Sequence, residues 1–109
     1  MQTVKERIRQ RRLQILIHSY IYYKLDNNIV SDATWSHWAK ELQQLQVDYP
    51  KEASEVEWAE YFKDWDGSSG AFLPLDNEWV KQTAMKVLDI HNNNTKKQSK
   101  PKTHSLSLF

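Results

Sequence analysis

The chain has 109 residues, a formal net charge of +1, 39% hydrophobic residues, 27% charged residues and no cysteine. This length allows one domain at most, which excludes a two-domain enzyme, a TIM barrel and a full doubly wound sheet. The lack of cysteine excludes a disulfide framework, a cysteine-ligated zinc site and a cysteine nucleophile, and it fits a reducing compartment. No segment approaches the roughly 18 consecutive apolar residues of a membrane-spanning helix, so we expect no membrane partner.

The charges fall into three blocks along the chain. Residues 1–26 carry six basic and two acidic residues, residues 27–92 carry five basic and twelve acidic residues, and residues 93–109 carry four lysines and no acid. The basic ends are a candidate nucleic-acid interface, although solvated charges at a helix start and in a tail are the commoner explanation. The candidate contacts are Arg7, Arg9, Arg11, Arg12 and the lysines of the tail.

The first predicted helix spans residues 4–25. Thr3 and Glu6 have the spacing of a capping box, in which each side chain satisfies a backbone N–H group of the other residue. Apolar residues occupy more than one face of the second half, so we expect this helix to lie at the centre of the domain. The Asp26–Asn28 segment favours a turn and ends the helix.

A second helix is predicted to begin at Ser31 or Asp32, both common helix caps, and to end at Pro50. Its apolar residues recur at spacings of three and four, which is the period of one helix face. Those residues are Trp35, Trp38, Leu42, Leu45 and Tyr49.

Two further helices are predicted in the second half of the chain. Ser54–Glu57 has the capping-box pattern and starts a third helix, which Gly67 ends. Residues 66–75 form a loop that covers one end of the core. A fourth helix starts within Asp76–Asn77 and ends at Asn92–Asn94.

The predicted fold class is all-α. A small four-helix domain built on a helical hairpin occupies residues 1–92. Residues 93–109 are rich in Lys, Asn, Gln, Ser and Thr, so they cannot bury much apolar surface, and we expect a disordered basic tail.

The residues from His18 to Pro50 carry an aromatic and acidic pattern. An aromatic pair is followed by one aspartate and then by a second, ahead of a helix rich in leucine. This pattern resembles the small N-terminal helical domain, called Ia, of bacterial NAD-dependent DNA ligases, and its spacing holds without a gap. The matching positions are His18, Tyr20, Tyr22, Tyr23, Asp26, Asp32, Trp35, Ser36, Leu42, Leu45 and Pro50.

In the ligases this domain closes over the nicotinamide mononucleotide half of NAD during self-adenylation. An aromatic face can stack on the cationic nicotinamide ring, and a carboxylate can accept bonds from ribose hydroxyls. Trp35 and Ser36 depart from the family's Tyr-Asp pair, and Asn28 stands where the family usually has Pro. The resemblance implies that the ligand contacts fall on Tyr22, Tyr23, Asp32, Trp35 and Ser36.

The resemblance also implies a function. We expect a non-enzymatic accessory or regulatory protein, a stand-alone relative of the Ia domain of the kind that bacteriophages or mobile elements encode. Its implied ligand is NAD or nicotinamide mononucleotide, with no required cofactor and no catalytic residue. The implied location is the cytoplasm of a bacterium or a phage-infected cell.

A second hypothesis is a phage-encoded interaction protein that inhibits a host nuclease or defence factor. Its partner-binding residues are Glu57, Trp58, Asp64 and Trp65. Tryptophan is a favoured interface anchor, and an acidic surface mimics nucleic acid. Core packing is the commoner role of tryptophan.

Structural roles compete with the implied ligand contacts. Tyr20 and Trp38 are expected in the core between the first two helices, whereas Tyr22 and Trp35 are equally compatible with the core and with a ligand cleft. Asp32 also suits the first turn of a helix, where a carboxylate interacts favourably with the helix dipole.

The remaining polar features point to no further chemistry. The Asp66–Gly70 segment offers backbone N–H groups to a phosphate, although a plain turn after a helix is the more common explanation. The four histidines are not spaced as metal ligands, so no metal site is expected.

Overall fold

The structure, a computed structural model, describes residues 2–70 and 73–97. This part of the chain is all-α, as predicted, but it contains five helices rather than four, and no strand. The helices are α1 (Val4–Lys24), α2 (Asp32–Asp48), α3 (Pro50–Glu55), α4 (Ala59–Phe62) and α5 (Glu78–Lys97). None of these helices is long and apolar enough to cross a bilayer.

The central helix is α1, as its apolar second half predicts. Every residue from 12 to 21 is buried, and α2, α3 and α5 pack around it. The predicted capping box closes its first turn, because Thr3 Oγ1 accepts a hydrogen bond from the Glu6 amide at 3.1 Å and the Thr3 amide donates to Glu6 Oε1 at 2.7 Å. The hydrogen bond from the Thr3 amide is the main cause that holds the pKa of Glu6 below its ordinary value, and a hydrogen bond with the Thr3 side chain is the second cause.

The prediction of a helix that begins at Ser54 is wrong. α2 ends just before Pro50, as predicted, and Pro50 itself occupies the start of α3, where a proline is well tolerated. The Ser54 hydroxyl donates back to the Lys51 carbonyl at 2.7 Å rather than capping a following turn. The chain then breaks at Trp58, whose φ of 73° lies in the left-handed region. The predicted third helix is therefore two short helices, and the second ends well before Gly67.

A buried arginine holds this break in place. Arg12 is only 1% exposed, and its guanidinium donates to carbonyl and amide oxygens around the end of α3. Burial lowers the pKa of Arg12 to about 10, so the side chain stays charged at neutral pH. The acceptors are Ala53 O at 2.9 Å, Val56 O at 3.1 Å, Glu57 O at 3.2 Å and Gln46 Oε1 at 2.8 and 3.1 Å.

The loop after α4 completes the core. Leu73 and Leu75 are buried among the apolar residues of the helices, which confirms that this segment covers the core. Asn77 Oδ1 accepts a hydrogen bond from the Val80 amide at 3.2 Å, so the last helix starts where the sequence predicts.

The predicted end of the last helix is wrong. α5 continues through Asn92–Asn94 to Lys97. An asparagine in a helix costs only about 0.5–0.7 kcal/mol relative to alanine, and no glycine or proline follows it here to stop the helix. The predicted tail boundary at residue 93 therefore falls inside α5, and residues 98–109 of that tail lie outside the described residues.

Candidate functional site

A cleft of about 230 Å³ is lined by the last turns of α1, the turn between α1 and α2, the first turns of α2 and the loop of residues 66–70. All five residues that the sequence resemblance implies as ligand contacts line this cleft. They are Tyr22, Tyr23, Asp32, Trp35 and Ser36. The structure thus brings the whole implied set together around one space.

The α1 wall of the cleft consists of two pairs of side chains four residues apart, His18 with Tyr22 and Ser19 with Tyr23. This spacing places each pair on one face of the helix. Tyr22 and Tyr23 are 53% and 45% exposed, and their rings meet edge to face at 4.8 Å. Tyr22 is therefore not a core residue, whereas Tyr20 is buried, as expected.

The α2 wall carries Asp32, Trp35 and Ser36, again on one helix face. The Ser31 hydroxyl accepts a hydrogen bond from a backbone amide of the first turn at 3.1 Å, so Ser31 rather than Asp32 is the cap. This arrangement leaves the Asp32 side chain exposed at the cleft. Trp35 is partly buried, and its ring packs edge to face against that of Trp65 at 6.3 Å.

Two side chains at the base of the cleft are absent from the set implied by the sequence. The His18 ring is buried and lies 5.3 Å from the Trp38 ring, which packs against the core. The Ser19 hydroxyl is buried and has no hydrogen-bond partner among the described residues. Gly70 packs directly on it, because a Cβ added to this glycine would lie 2.0 Å from Ser19 Oγ. A serine within the apolar half of a central helix is the sequence signal that identifies Ser19.

The loop of residues 66–70 is held over the cleft at two points. Tyr23 Oη and Ser69 Oγ form a hydrogen bond of 3.0 Å, and Trp65 Nε1 donates to the Ser69 carbonyl at 2.7 Å. Within the loop, Asp66 Oδ1 accepts bonds from the Ser68 hydroxyl at 2.7 Å and the Ser68 amide at 2.9 Å. These bonds lower the pKa of Asp66 and use one of the N–H groups that the sequence offered to a phosphate.

The polar lining of the cleft consists of hydroxyl groups, one histidine, one asparagine and one carboxylate. Asp32 supplies that carboxylate, and no lysine or arginine lines the cleft in the part of the chain that the structure describes. Within the same residues, no three histidine, aspartate or glutamate side chains lie close enough to hold a metal ion. The hydroxyl groups of the lining belong to Ser19, Tyr22, Tyr23, Ser36, Ser68 and Ser69.

The arginines of the basic first helix are engaged within the molecule. Arg12 is buried, and other basic side chains of α1 meet carboxylates of α2 and of the segment after it. Nucleic-acid binding by this helix and the tail stays a prediction, but the helix charge is locally balanced. The ion pairs are Arg7–Glu41 at 2.9 Å, Arg11–Glu41 at 3.0 Å, Arg9–Glu57 at 2.9 Å and Lys5–Glu55 at 2.8 Å.

The four candidate partner-binding residues lie in different surroundings. Trp58 and Trp65 are partly buried against the core, and the Trp65 ring packs against Trp35 of the cleft lining. Glu57 is exposed but paired with Arg9, and Asp64 is exposed. Partner binding through this group stays a prediction.

Comparisons with known proteins fit this geometry. The family described as "DNA ligase-like, N-terminal NAD+-binding domain" matches residues 1–55. The DNA ligase of Bacteroides fragilis is 43% identical over 49 residues, which are 45% of this chain and 7% of that ligase. The DNA ligase of Pseudomonas aeruginosa is 40% identical over 50 residues, which are 46% of this chain and 6% of that ligase.

The chain therefore spans only a small part of the ligases that it matches. No solved structure is significantly similar to it. The family match covers α1, the turn, α2 and α3, and hence both helical walls of the cleft, whereas Ser68 and Ser69 lie beyond it. On this match, the chain belongs to the family of DNA ligase-like, N-terminal NAD+-binding domains.

Proposed function

We propose that this protein is a non-enzymatic accessory protein that binds nicotinamide mononucleotide, free or as half of NAD, in the cleft. The observation that carries the proposal is the convergence of the five implied contact residues around a single space. Two of the walls belong to the segment that matches the NAD+-binding family.

The chemistry of the lining suits a cationic ring attached to a ribose. The Trp35 indole and the exposed Tyr22 ring offer aromatic faces to the positively charged nicotinamide. The Asp32 carboxylate balances that charge or accepts hydrogen bonds from ribose hydroxyls. Ser36 stands where the resembled family has a carboxylate, so this cleft holds less negative charge than the family pattern.

The same lining favours a binding role without catalysis. Transfer of the adenylyl group from NAD needs an activated nucleophile, and the described lining holds no lysine that could supply an amine for it. We therefore expect no adenylylated protein after incubation with NAD, as measured by intact-mass spectrometry. A mass increase equal to one adenylyl group would contradict the non-enzymatic role.

The direct test is calorimetric titration of the chain with nicotinamide mononucleotide, NAD and AMP. We expect the first two to bind and AMP, which lacks the nicotinamide ring, to show no saturable heat. Ser36→Asp restores the family carboxylate, and we expect it to tighten nicotinamide mononucleotide binding about three- to tenfold. Equal binding of AMP and nicotinamide mononucleotide would contradict nicotinamide recognition.

A second candidate function is the interaction protein that inhibits a host nuclease or defence factor. One observation favours it: the Trp58 ring lies 5.9 Å from Tyr61 and 6.0 Å from Trp79, and the latter two are 47% and 43% exposed. An exposed aromatic cluster is a common anchor for a protein partner. A partner captured by the wild-type chain should be lost with Trp79→Ser and kept with Tyr49→Ser, a change at an exposed tyrosine outside the cluster.

A further inference from the structure

The cleft differs from an ordinary phosphate-binding site in the groups that it offers to an anion. Phosphate groups in proteins are held by lysine or arginine side chains, by the N-terminus of a helix or by a run of free backbone N–H groups.

Lysine and arginine side chains are the first possibility. Among the residues that the structure describes, the lining contains the Asp32 carboxylate but no lysine or arginine. Lys24, the last residue of α1, points its ammonium group to Asp76 at 3.6 Å.

The N-terminus of α2 is also occupied. The Ser31 hydroxyl accepts from the Thr34 amide at 3.1 Å, and the Ser31 carbonyl accepts from the Trp35 amide at 3.0 Å. Asp32 places its own carboxylate in the first turn, so the positive end of the helix dipole already faces an anion.

In the loop of residues 66–70, one of the backbone N–H groups that a phosphate could use is already engaged. The Ser68 amide donates to Asp66 Oδ1. This N–H group is therefore not available to a phosphate, and the Asp66 carboxylate lies next to it. Asp32 in addition places a carboxylate in the lining itself. A phosphate would meet repulsion there rather than a binding group.

We propose that the cleft binds the nicotinamide and ribose portion of its ligand and leaves the phosphate unrecognised in solvent, because no lysine or arginine among the described residues lines the cleft. The site thus recognises the nicotinamide nucleoside portion and gains little affinity from the phosphate of a nucleotide. This inference rests on the proposed function and specifies which part of the ligand supplies the affinity.

The lining of the cleft supports a neutral polar ligand group. The lining is rich in hydroxyl groups, among them those of Tyr22, Ser36 and Ser68. A carboxamide both donates and accepts hydrogen bonds without carrying a charge, so it suits such a lining. A phosphate dianion at the same place would lose its hydration without gaining a cation.

The experiment compares nicotinamide riboside with nicotinamide mononucleotide, which differ only in the phosphate, by calorimetry on the full chain. We expect dissociation constants within about threefold of each other. A mononucleotide that binds more than about tenfold tighter than the riboside overturns the inference but leaves the proposed function standing. If neither ligand binds, the proposed function fails and the inference fails with it.

A charge-insertion variant tests the stated cause. Asn28 lines the cleft, so Asn28→Lys supplies the missing cation. We expect it to favour the mononucleotide over the riboside by at least about fivefold at low salt, with the preference lost at high salt. The matched control is Asn93→Lys, a change at an exposed α5 residue that adds the same charge away from the lining. An unchanged ratio in Asn28→Lys, or an equal change in both variants, contradicts the inference.

Discussion

Tyr23 Oη and Ser69 Oγ lie 3.0 Å apart and join two parts of the chain that are 46 residues distant in sequence. Tyr23 belongs to the segment that matches the ligase-like family, and Ser69 lies beyond that segment. The cleft is therefore composite, because a chain-specific loop completes walls built from a family-wide hairpin.

This hydrogen bond should couple the loop to α1. We expect Tyr23→Phe and Ser69→Ala each to lower the free energy of unfolding by about 0.5–1.5 kcal/mol. The double variant should cost no more than the larger single change, because either change already removes the bond. Urea denaturation of the four proteins measures the coupling, and strictly additive effects would show that the bond contributes nothing.

The buried guanidinium of Arg12 should be a large contributor to stability. Arg12→Met leaves carbonyls at the end of α3 without donors, and we expect a loss of about 3 kcal/mol or more in the free energy of unfolding. The control is Arg9→Met, which removes an exposed ion pair with Glu57 and should cost less than about 1 kcal/mol. Equal losses in urea denaturation would contradict the structural role of Arg12.

The close approach of Gly70 to Ser19 predicts a specific steric effect. A Cβ at residue 70 would lie 2.0 Å from Ser19 Oγ and 2.6 Å from Ser19 Cβ, so Gly70→Ala should cost about 1–3 kcal/mol. Ser19→Gly costs about 1 kcal/mol by itself because it places glycine inside a helix. In the Gly70→Ala background, however, it should recover stability, and thermal denaturation of the four proteins tests this recovery. A further loss in the double variant would exclude the contact.

The sequence predicts the parts of the cleft that depend on local patterns, and it misses the parts that depend on distant contacts. The His18–Pro50 hairpin could be predicted because its caps and its aromatic spacing are local, and the structure places all five implied contacts around one cleft. The Ser69 contribution could not be predicted, because no local pattern records a hydrogen bond across 46 residues.

The error at Ser54 has a similar physical origin. Its capping-box spacing competes with Pro50 as a helix start, and both are local signals of comparable strength. The outcome depends on Arg12, whose bonds to Ala53 O and Val56 O fix the end of α3 from 41 and 44 residues away.

The capping box predicts a pH dependence at the start of α1. Hydrogen bonds from the Thr3 amide and then the Thr3 side chain lower the pKa of Glu6 in the folded protein. Its contribution to stability is therefore fully present above the unfolded pKa of about 4.3 and is lost as the pH falls through the lower folded pKa. An NMR titration should show the pKa of Glu6 rising in Thr3→Ala, and an unchanged value would contradict the capping contact.

The measurement that tests the central claim most directly is the affinity of nicotinamide mononucleotide for wild type, Asp32→Asn and Asp89→Asn. Asp32 lines the cleft, whereas Asp89 is an exposed α5 residue that carries the same charge outside it. We expect calorimetry to show binding by wild type and by Asp89→Asn with equal affinity, and binding at least about tenfold weaker in Asp32→Asn. No saturable heat from the wild-type chain at millimolar ligand, or equal affinity in all three proteins, would contradict a nicotinamide site in this cleft.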